Sequence, residues 1–239
     1  MKKVTVWIFI LAGVFMASCS RHRYPAELTA ADSLAEVQPD SAVALLKALR
    51  PNMADAPEDT KMYYDLLTIK AEDKTYVTHR SNKQIMRLVN YYEHGGDKAL
   101  LPVAYYYAGR TYADMQDAPR ALDYFQRALE AMKDRKDASL VGKIYSQMGH
   151  LYMDQNLYDN AIGIFQKSYH NSAMMKDTVN TIYDLCDIAS AYSGKMDDHS
   201  SILYLKKAHN LANEKGKISL IIYVESYMSR YYYYIGKYE

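Results

Sequence analysis

Two cysteines in 239 residues, Cys19 and Cys186, are too few for a disulfide framework. Six prolines and ten glycines exclude a collagen-like or loop-dominated chain. There is one tryptophan, Trp7, and four phenylalanines against 25 tyrosines, so the aromatic part of any core is built from tyrosine. Neither charge sign dominates: 29 basic residues face 28 acidic ones, for a formal net charge of +1. That balance provides no electrostatic footprint for nucleic acid or an anionic membrane surface. The chain has no glycine-rich phosphate loop, paired-histidine zinc signature, nucleophile elbow or Cys-x-x-Cys. No enzyme chemistry, cofactor, metal or small-molecule substrate is therefore expected. No segment alternates with period two for long enough to predict a strand. With 49% apolar and 24% charged residues, the chain is globular and reads as all-α.

Residues 1–20 run MKKVTVWIFILAGVFMASCS, a basic start followed by an apolar run from Val4 to Met16 and then small residues before Cys19. The run is shorter than the ~20 residues that cross a bilayer, and it reads as a secretory signal peptide over 1–18. Its end, Met16-Ala17-Ser18-Cys19, resembles a bacterial lipobox, with Met16 in place of the more usual leucine. The resemblance implies that Cys19 becomes the lipid-modified first residue of an envelope lipoprotein; simple secretion and an uncleaved anchor are the alternatives. Loss of Lys2 and Lys3 with the signal would turn the net charge from +1 to −1. Acylated Cys19 would leave Cys186 without an intramolecular partner. Residues 19–31, with Arg21, His22, Arg23 and Pro25, read as a lipidated tether whose basic cluster either meets headgroups or is solvated. Ser20 is not the acidic residue that retains lipoproteins at the inner membrane in some bacteria. Its presence points to the outer membrane and a periplasm-facing domain.

Helical spacing begins near Asp32, where Leu34, Val37, Ala42, Leu45, Leu46 and Leu49 recur at threes and fours. Pro39-Asp40-Ser41 predicts a break and restart, and RPNMADAPE over 50–58 predicts a loop. A second helix pair follows, carried by Tyr63, Leu66, Leu67 and Ala71, then by Ile85, Leu88, Val89 and Tyr92, and stopped by Gly95-Gly96.

From residue 102 the sequence repeats every 40 residues, with Tyr112, Tyr152, Tyr192 and Tyr232 in register. Three positions before each tyrosine stands a small residue: Gly109, Gly149, Ala189 and Ser229. Earlier in the same helix come Tyr105, Tyr145, Leu185 and Glu225. Beyond the tyrosines the series continues with Ala121, Ala161 and Ser201, then Phe125, Phe165 and Leu205, then Ala128, Ser168 and Ala208. Antiparallel helices approach closely only where side chains are small, and large residues fill the space beside those contacts. This order of aromatic, small, tyrosine, alanine, phenylalanine and alanine resembles the tetratricopeptide (TPR) repeat. The resemblance covers 102–239 clearly and 32–101 as degenerate helix pairs. It implies a right-handed superhelical solenoid of antiparallel helix pairs. The usual TPR unit has 34 residues, so each repeat here would carry about six more, in its second helix or the following loop. Residues 231–239 complete only a first helix, which leads us to expect a fragment of a longer protein.

The same resemblance implies a concave groove lined by first helices, with a protein or peptide as partner. Family groove positions fall on Tyr106, Arg110 and Asp114; on Lys143, Ser146, His150 and Asp154; on Tyr183, Cys186 and Ser190; and on Tyr223, Ser226, Arg230 and Tyr233. Tyrosine, arginine and small polar groups suit peptide recognition; a merely solvated face is the alternative. The lysine, asparagine and arginine set that clamps a carboxylate in some TPR domains is not matched, since Tyr106 and Arg110 occupy its start and no asparagine follows. His150 and Asp154 stand one turn apart and would either pair for acid–base work or form an exposed i,i+4 contact. Cys186 is either a groove-facing free thiol or a semi-buried filler. Within the tyrosine runs, Tyr105, Tyr112 and Tyr232 fall in core register, leaving Tyr106 and Tyr233 as ligand contacts. A second functional reading is the extracytoplasmic sensory part of a transmembrane regulator or kinase, to which such repeats are also similar.

Overall fold

The computed structural model describes residues 24–132, 137–234 and 236. The signal segment and Cys19 lie outside the described residues. Helices account for all the regular structure among them: α1 (Ala26–Val37), α2 (Pro39–Leu49), a 3-10 turn (Arg50–Met53), α3 (Glu58–Lys74), α4 (Lys83–His94), α5 (Leu101–Asp114), α6 (Ala118–Ala131), α7 (Ala138–Asp154), α8 (Tyr158–Met174), α9 (Thr178–Gly194), α10 (Asp198–Glu214) and α11 (Ile218–Tyr234). None among the described residues is long and apolar enough to cross a membrane. The chain divides into two compact units, one ending at Val77 and the other starting at Thr78.

In the first unit, α1 begins at Ala26, inside the segment read as tether, rather than near Asp32. Leu28, Ala31 and Ala35, spaced by three and four, form a fully buried stripe that makes this stretch helical. Pro39 opens α2 at a position where its missing N–H costs nothing. Tyr63 of α3 stacks on Tyr24 at 4.1 Å, and its hydroxyl donates to Asp32 at 3.0 Å. Lys70 reaches the carboxylates of Asp32 and Glu36 at 2.7 and 2.8 Å, closing α3 onto α1.

The second unit starts with α4, so the two segments read as one helix pair, α3 and α4, belong to different units. Helix α4 buries Ile85, Leu88, Val89 and Tyr92 on one face and packs on α5. It ends at Gly95 with φ 179, an extended conformation, while a Cβ on Gly96 would stand 2.6 Å from the Tyr91 ring and 2.7 Å from the Tyr92 ring. Close packing against tyrosine, rather than a left-handed cap, accounts for Gly96.

Thereafter the helices pack in consecutive pairs, α5 with α6, α7 with α8 and α9 with α10, and α11 follows against α10 and α9. Within two pairs the seam depends on a missing side chain: a Cβ on Gly109 would sit 2.5 Å from the Phe125 ring, and one on Gly149 would sit 2.3 Å from Phe165. Both phenylalanines are fully buried. The turns repeat too. Gln116, Asn156 and Met196 each take positive φ, near 60°, one residue before the next helix cap. Asp117, Asp137, Asp177 and Asp197 cap their helices by accepting from the N–H of Arg120, Leu140, Asn180 and Ser200. Each such cap contributes about 1 kcal/mol. Helices α7 to α11 are all 17 residues long, so the length beyond the usual TPR unit is shared by both helices of a pair and the connections stay short.

Candidate binding groove

The fourteen residues expected of a groove lie on α5, α7, α9 and α11, and their environments differ sharply. Three are not available. Tyr106 is buried, 6% exposed, with its ring against Tyr107 and Phe125 at centroid distances of 4.9 and 5.8 Å. It is core, contrary to its expected place as a ligand contact, because α5 is packed on two sides and a tyrosine is long enough to reach the seam. Cys186 is fully buried, and burial, with Asp187 adding to it, pushes its thiol up to about 12. Its side chain packs in the core cluster formed with Leu185, Leu205 and Val224. Asp114 is half-buried and committed: its Oδ2 accepts from the His79 backbone N–H and contacts His79 Nδ1, both at 2.8 Å.

The others line up along the stack. Arg110 on α5 donates to the Gln147 side chain on α7. One repeat later, His150 Nε2 of α7 lies 3.5 Å from Asp187 Oδ2 of α9, with the His150 ring edge-on to Phe165 at 5.2 Å. Another repeat on, Tyr183 of α9 meets Tyr223 of α11 edge-to-face at 4.8 Å. The Tyr223 hydroxyl donates to that of Tyr227 at 3.1 Å, and the guanidinium of Arg230 lies over the Tyr227 ring at 4.6 Å. Ser226 donates to the Tyr223 carbonyl at 2.6 Å. Lys143, Ser146 and Ser190 are half-buried, and Asp154, Ser226, Arg230 and Tyr233 are exposed. His150 thus makes its carboxylate contact with Asp187 rather than with Asp154.

The electrostatics of that contact are unusual. Burial, then the neighbouring Asp184, pushes Asp187 up to about 7. Desolvation is the largest influence on His150 and lowers its proton affinity, Arg110 acts in the same sense, and Asp154 opposes both. Both shifts disfavour the charged forms and so weaken the contact as a salt bridge, with Asp187 about half ionised at neutral pH. Asp184, deeper between α9 and α8, is likewise raised by burial, against the opposing effect of the Ser168 and Ser172 hydroxyls. Burial and the hydrogen bond to Tyr227 raise Tyr223. Among the described residues no group of three or more histidine, cysteine, aspartate or glutamate side chains could hold a metal.

Sequence reading missed Gln147, Asp187 and Tyr227. Each stands 37 positions after its partner position, 110, 150 and 190, so the 40-residue register holds their signal.

No family model matches the sequence, and no curated protein matches it. Solved structures do match. RapI in its apo form superposes at a TM-score of 0.75 with 12% identity over 89% of this chain and 61% of RapI. The nearly identical TPR-like repeats of a Podosopora anserina kinesin light chain superpose at 0.61 with 10% identity, covering 80% of this chain and 96% of that one. The fold is that of the TPR-like repeat proteins. A Rap protein complexed with competence and sporulation factor shares this TPR-like fold at a TM-score of 0.64 and 14% identity, over 88% of this chain. The chain spans 61% of the length of RapI and 60% of that Rap protein.

Proposed function

We propose that the chain is a non-catalytic scaffold that binds a protein or peptide along the first-helix face of its TPR-like stack, tethered in the bacterial cell envelope through a lipid on Cys19. The observation that carries the binding reading is the ladder of cross-helix contacts, Arg110 to Gln147, His150 to Asp187 and Tyr183 to Tyr223. They hold polar and aromatic groups in fixed positions along the first helices. Preorganised tyrosine and arginine offer large contact area at small entropic cost. The Rap protein bound to competence and sporulation factor supports the reading by fold, since the same architecture accepts a partner there.

The test uses tagged full-length protein in its bacterial host. Arg110→Glu combined with Tyr183→Ala is expected to abolish capture of the co-purifying partner while circular dichroism shows unchanged helicity. Undiminished capture would refute the groove. The tether is tested separately by metabolic lipid labelling of wild type against Cys19→Ala, where equal labelling would remove it.

A further inference from the structure

One position of the 40-residue register is tyrosine in two repeats and isoleucine in the repeat between them: Tyr124, Ile164 and Tyr204. Both tyrosine rings are built into their repeats in the same way. Tyr124 stacks on Tyr112 at 5.4 Å, and Tyr204 stacks on Tyr192 at 5.5 Å. Each also lies under a cation from the next turn of its helix, Arg127 at 5.0 Å and Lys207 at 4.8 Å. Tyr124 meets the Tyr105 ring at 6.2 Å besides, and its hydroxyl reaches Met86 Sδ at 3.4 Å. In the next repeat the counterparts of Met86, Tyr105 and Arg127 are Gln126, Tyr145 and Lys167. Those three, with Ile164 itself, line a cavity of about 420 Å³ between α6, α7 and α8. The surroundings of the tyrosine recur, and isoleucine leaves the place of its ring open.

We propose that this cavity binds a small free phenol, with its ring where the flanking repeats place a tyrosine ring and its hydroxyl on Gln126. The site is separate from the groove. At about 100° per residue, its α7 residues Val141, Tyr145 and Met148 fall on the side of that helix opposite Lys143, Ser146 and His150. The proposal therefore stands without the groove reading.

The cavity has more than twice the volume of one that holds benzene, about 150 Å³, so a substituted ring fits. Its walls are largely apolar: Leu129 and Met132 on the α6 side, Val141 and Met148 from α7, and Ile164 from α8. Met132 and Met148 are buried, and thioethers pack favourably against aromatic rings. The polar groups are three. Lys167 stands off the Tyr145 ring at 6.0 Å, where Arg127 is drawn to 4.4 Å from Tyr105, so its cation has a closer aromatic face still to gain. Gln126 Nε2 donates to Glu130 Oε1 at 3.0 Å, which directs the amide oxygen away from that carboxylate as an acceptor. A phenol is neutral at pH 7 and has one proton to donate to that oxygen. An aryl carboxylate has no such proton and brings a second negative charge beside Glu130.

The experiment titrates purified full-length protein with p-cresol, toluene, benzoate and a capped Gly-Tyr-Gly peptide, followed by backbone amide chemical shifts. p-Cresol is expected to shift amides around Leu129, Tyr145 and Ile164 and to bind at least fivefold more tightly than toluene or benzoate. Gln126→Leu should abolish the preference over toluene. Ile164→Tyr supplies the ring from the chain itself, so it should weaken p-cresol binding at least tenfold and raise the melting temperature by about 2–4 °C. Lys206→Gln, at an exposed position of α10, should change neither. The site is overturned by the absence of a saturable response to p-cresol, by equal binding of p-cresol and toluene, or by a preference that survives Gln126→Leu. Undiminished p-cresol binding in folded Ile164→Tyr overturns it equally, and loss of helicity in that variant would show that the space takes no ring. Tighter binding of the tyrosine peptide than of p-cresol would assign the cavity to a protein side chain and overturn the free phenol.

Discussion

The imidazole of His150 and the carboxyl of Asp187 meet at 3.5 Å across the step between two repeats, with Asp187 held mostly protonated up to about pH 7. The folded state keeps a proton on Asp187 that the unfolded chain releases near its ordinary value of about 3.9. Asp187 therefore destabilises the fold progressively as pH rises from about 4 to about 7, with the full penalty above that. His150, its affinity lowered, acts in the other direction: its penalty grows as pH falls below about 6.5. Asp187→Asn should raise stability at pH 8 by about 2–4 kcal/mol and change it little at about pH 3.5, below the unfolded value. Urea denaturation at the two pH values measures this, and a loss of stability at pH 8 would show that the pair is a true salt bridge.

Two glycines with opposite surroundings provide a matched pair. Gly149→Ala places a methyl 2.3 Å from the buried Phe165 ring and should cost about 1–3 kcal/mol. Gly163, in the middle of α8, has nothing within 4 Å of the same methyl. Gly163→Ala should stabilise by about 0.5–1 kcal/mol through helix propensity alone. Thermal melts of both variants decide it, and equal effects would argue against the seam geometry.

Met196 holds φ 62 in the turn between α9 and α10 and is 89% exposed. Left-handed backbone costs a side chain about 1–2 kcal/mol, partly offset by the greater freedom glycine has to lose. Met196→Gly should therefore raise stability by about 0.5–1 kcal/mol. A lower melting temperature would count against the turn as described.

Cys186 should resist alkylation in the native protein, since its thiol is buried and protonated at neutral pH. In a Cys19→Ser background, iodoacetamide labelling should track unfolding by urea. Fast labelling without denaturant would return Cys186 to the groove.

The period and the seam were legible because they depend on residue size at fixed spacing: Gly109 opposite Phe125 and Gly149 opposite Phe165 follow from sterics alone. The helix stops were partly hidden. Gln116, Asn156 and Met196 share a left-handed turn but no chemistry, and only the aspartates that follow two of them leave a trace. The groove was least legible. Carrying family positions over treats the first-helix face as uniformly open, yet Tyr106 turns into the core and Asp114 is engaged by His79, a residue from before α4. Those choices depend on neighbours on other segments, Phe125 for Tyr106 and His79 for Asp114.

The 17-residue helices also set a length scale for whatever lies across them. At 1.5 Å per residue each of the first helices α7, α9 and α11 is about 25 Å long. A ligand strand running parallel to one of them, at about 3.3 Å per residue, would be read over roughly seven or eight residues.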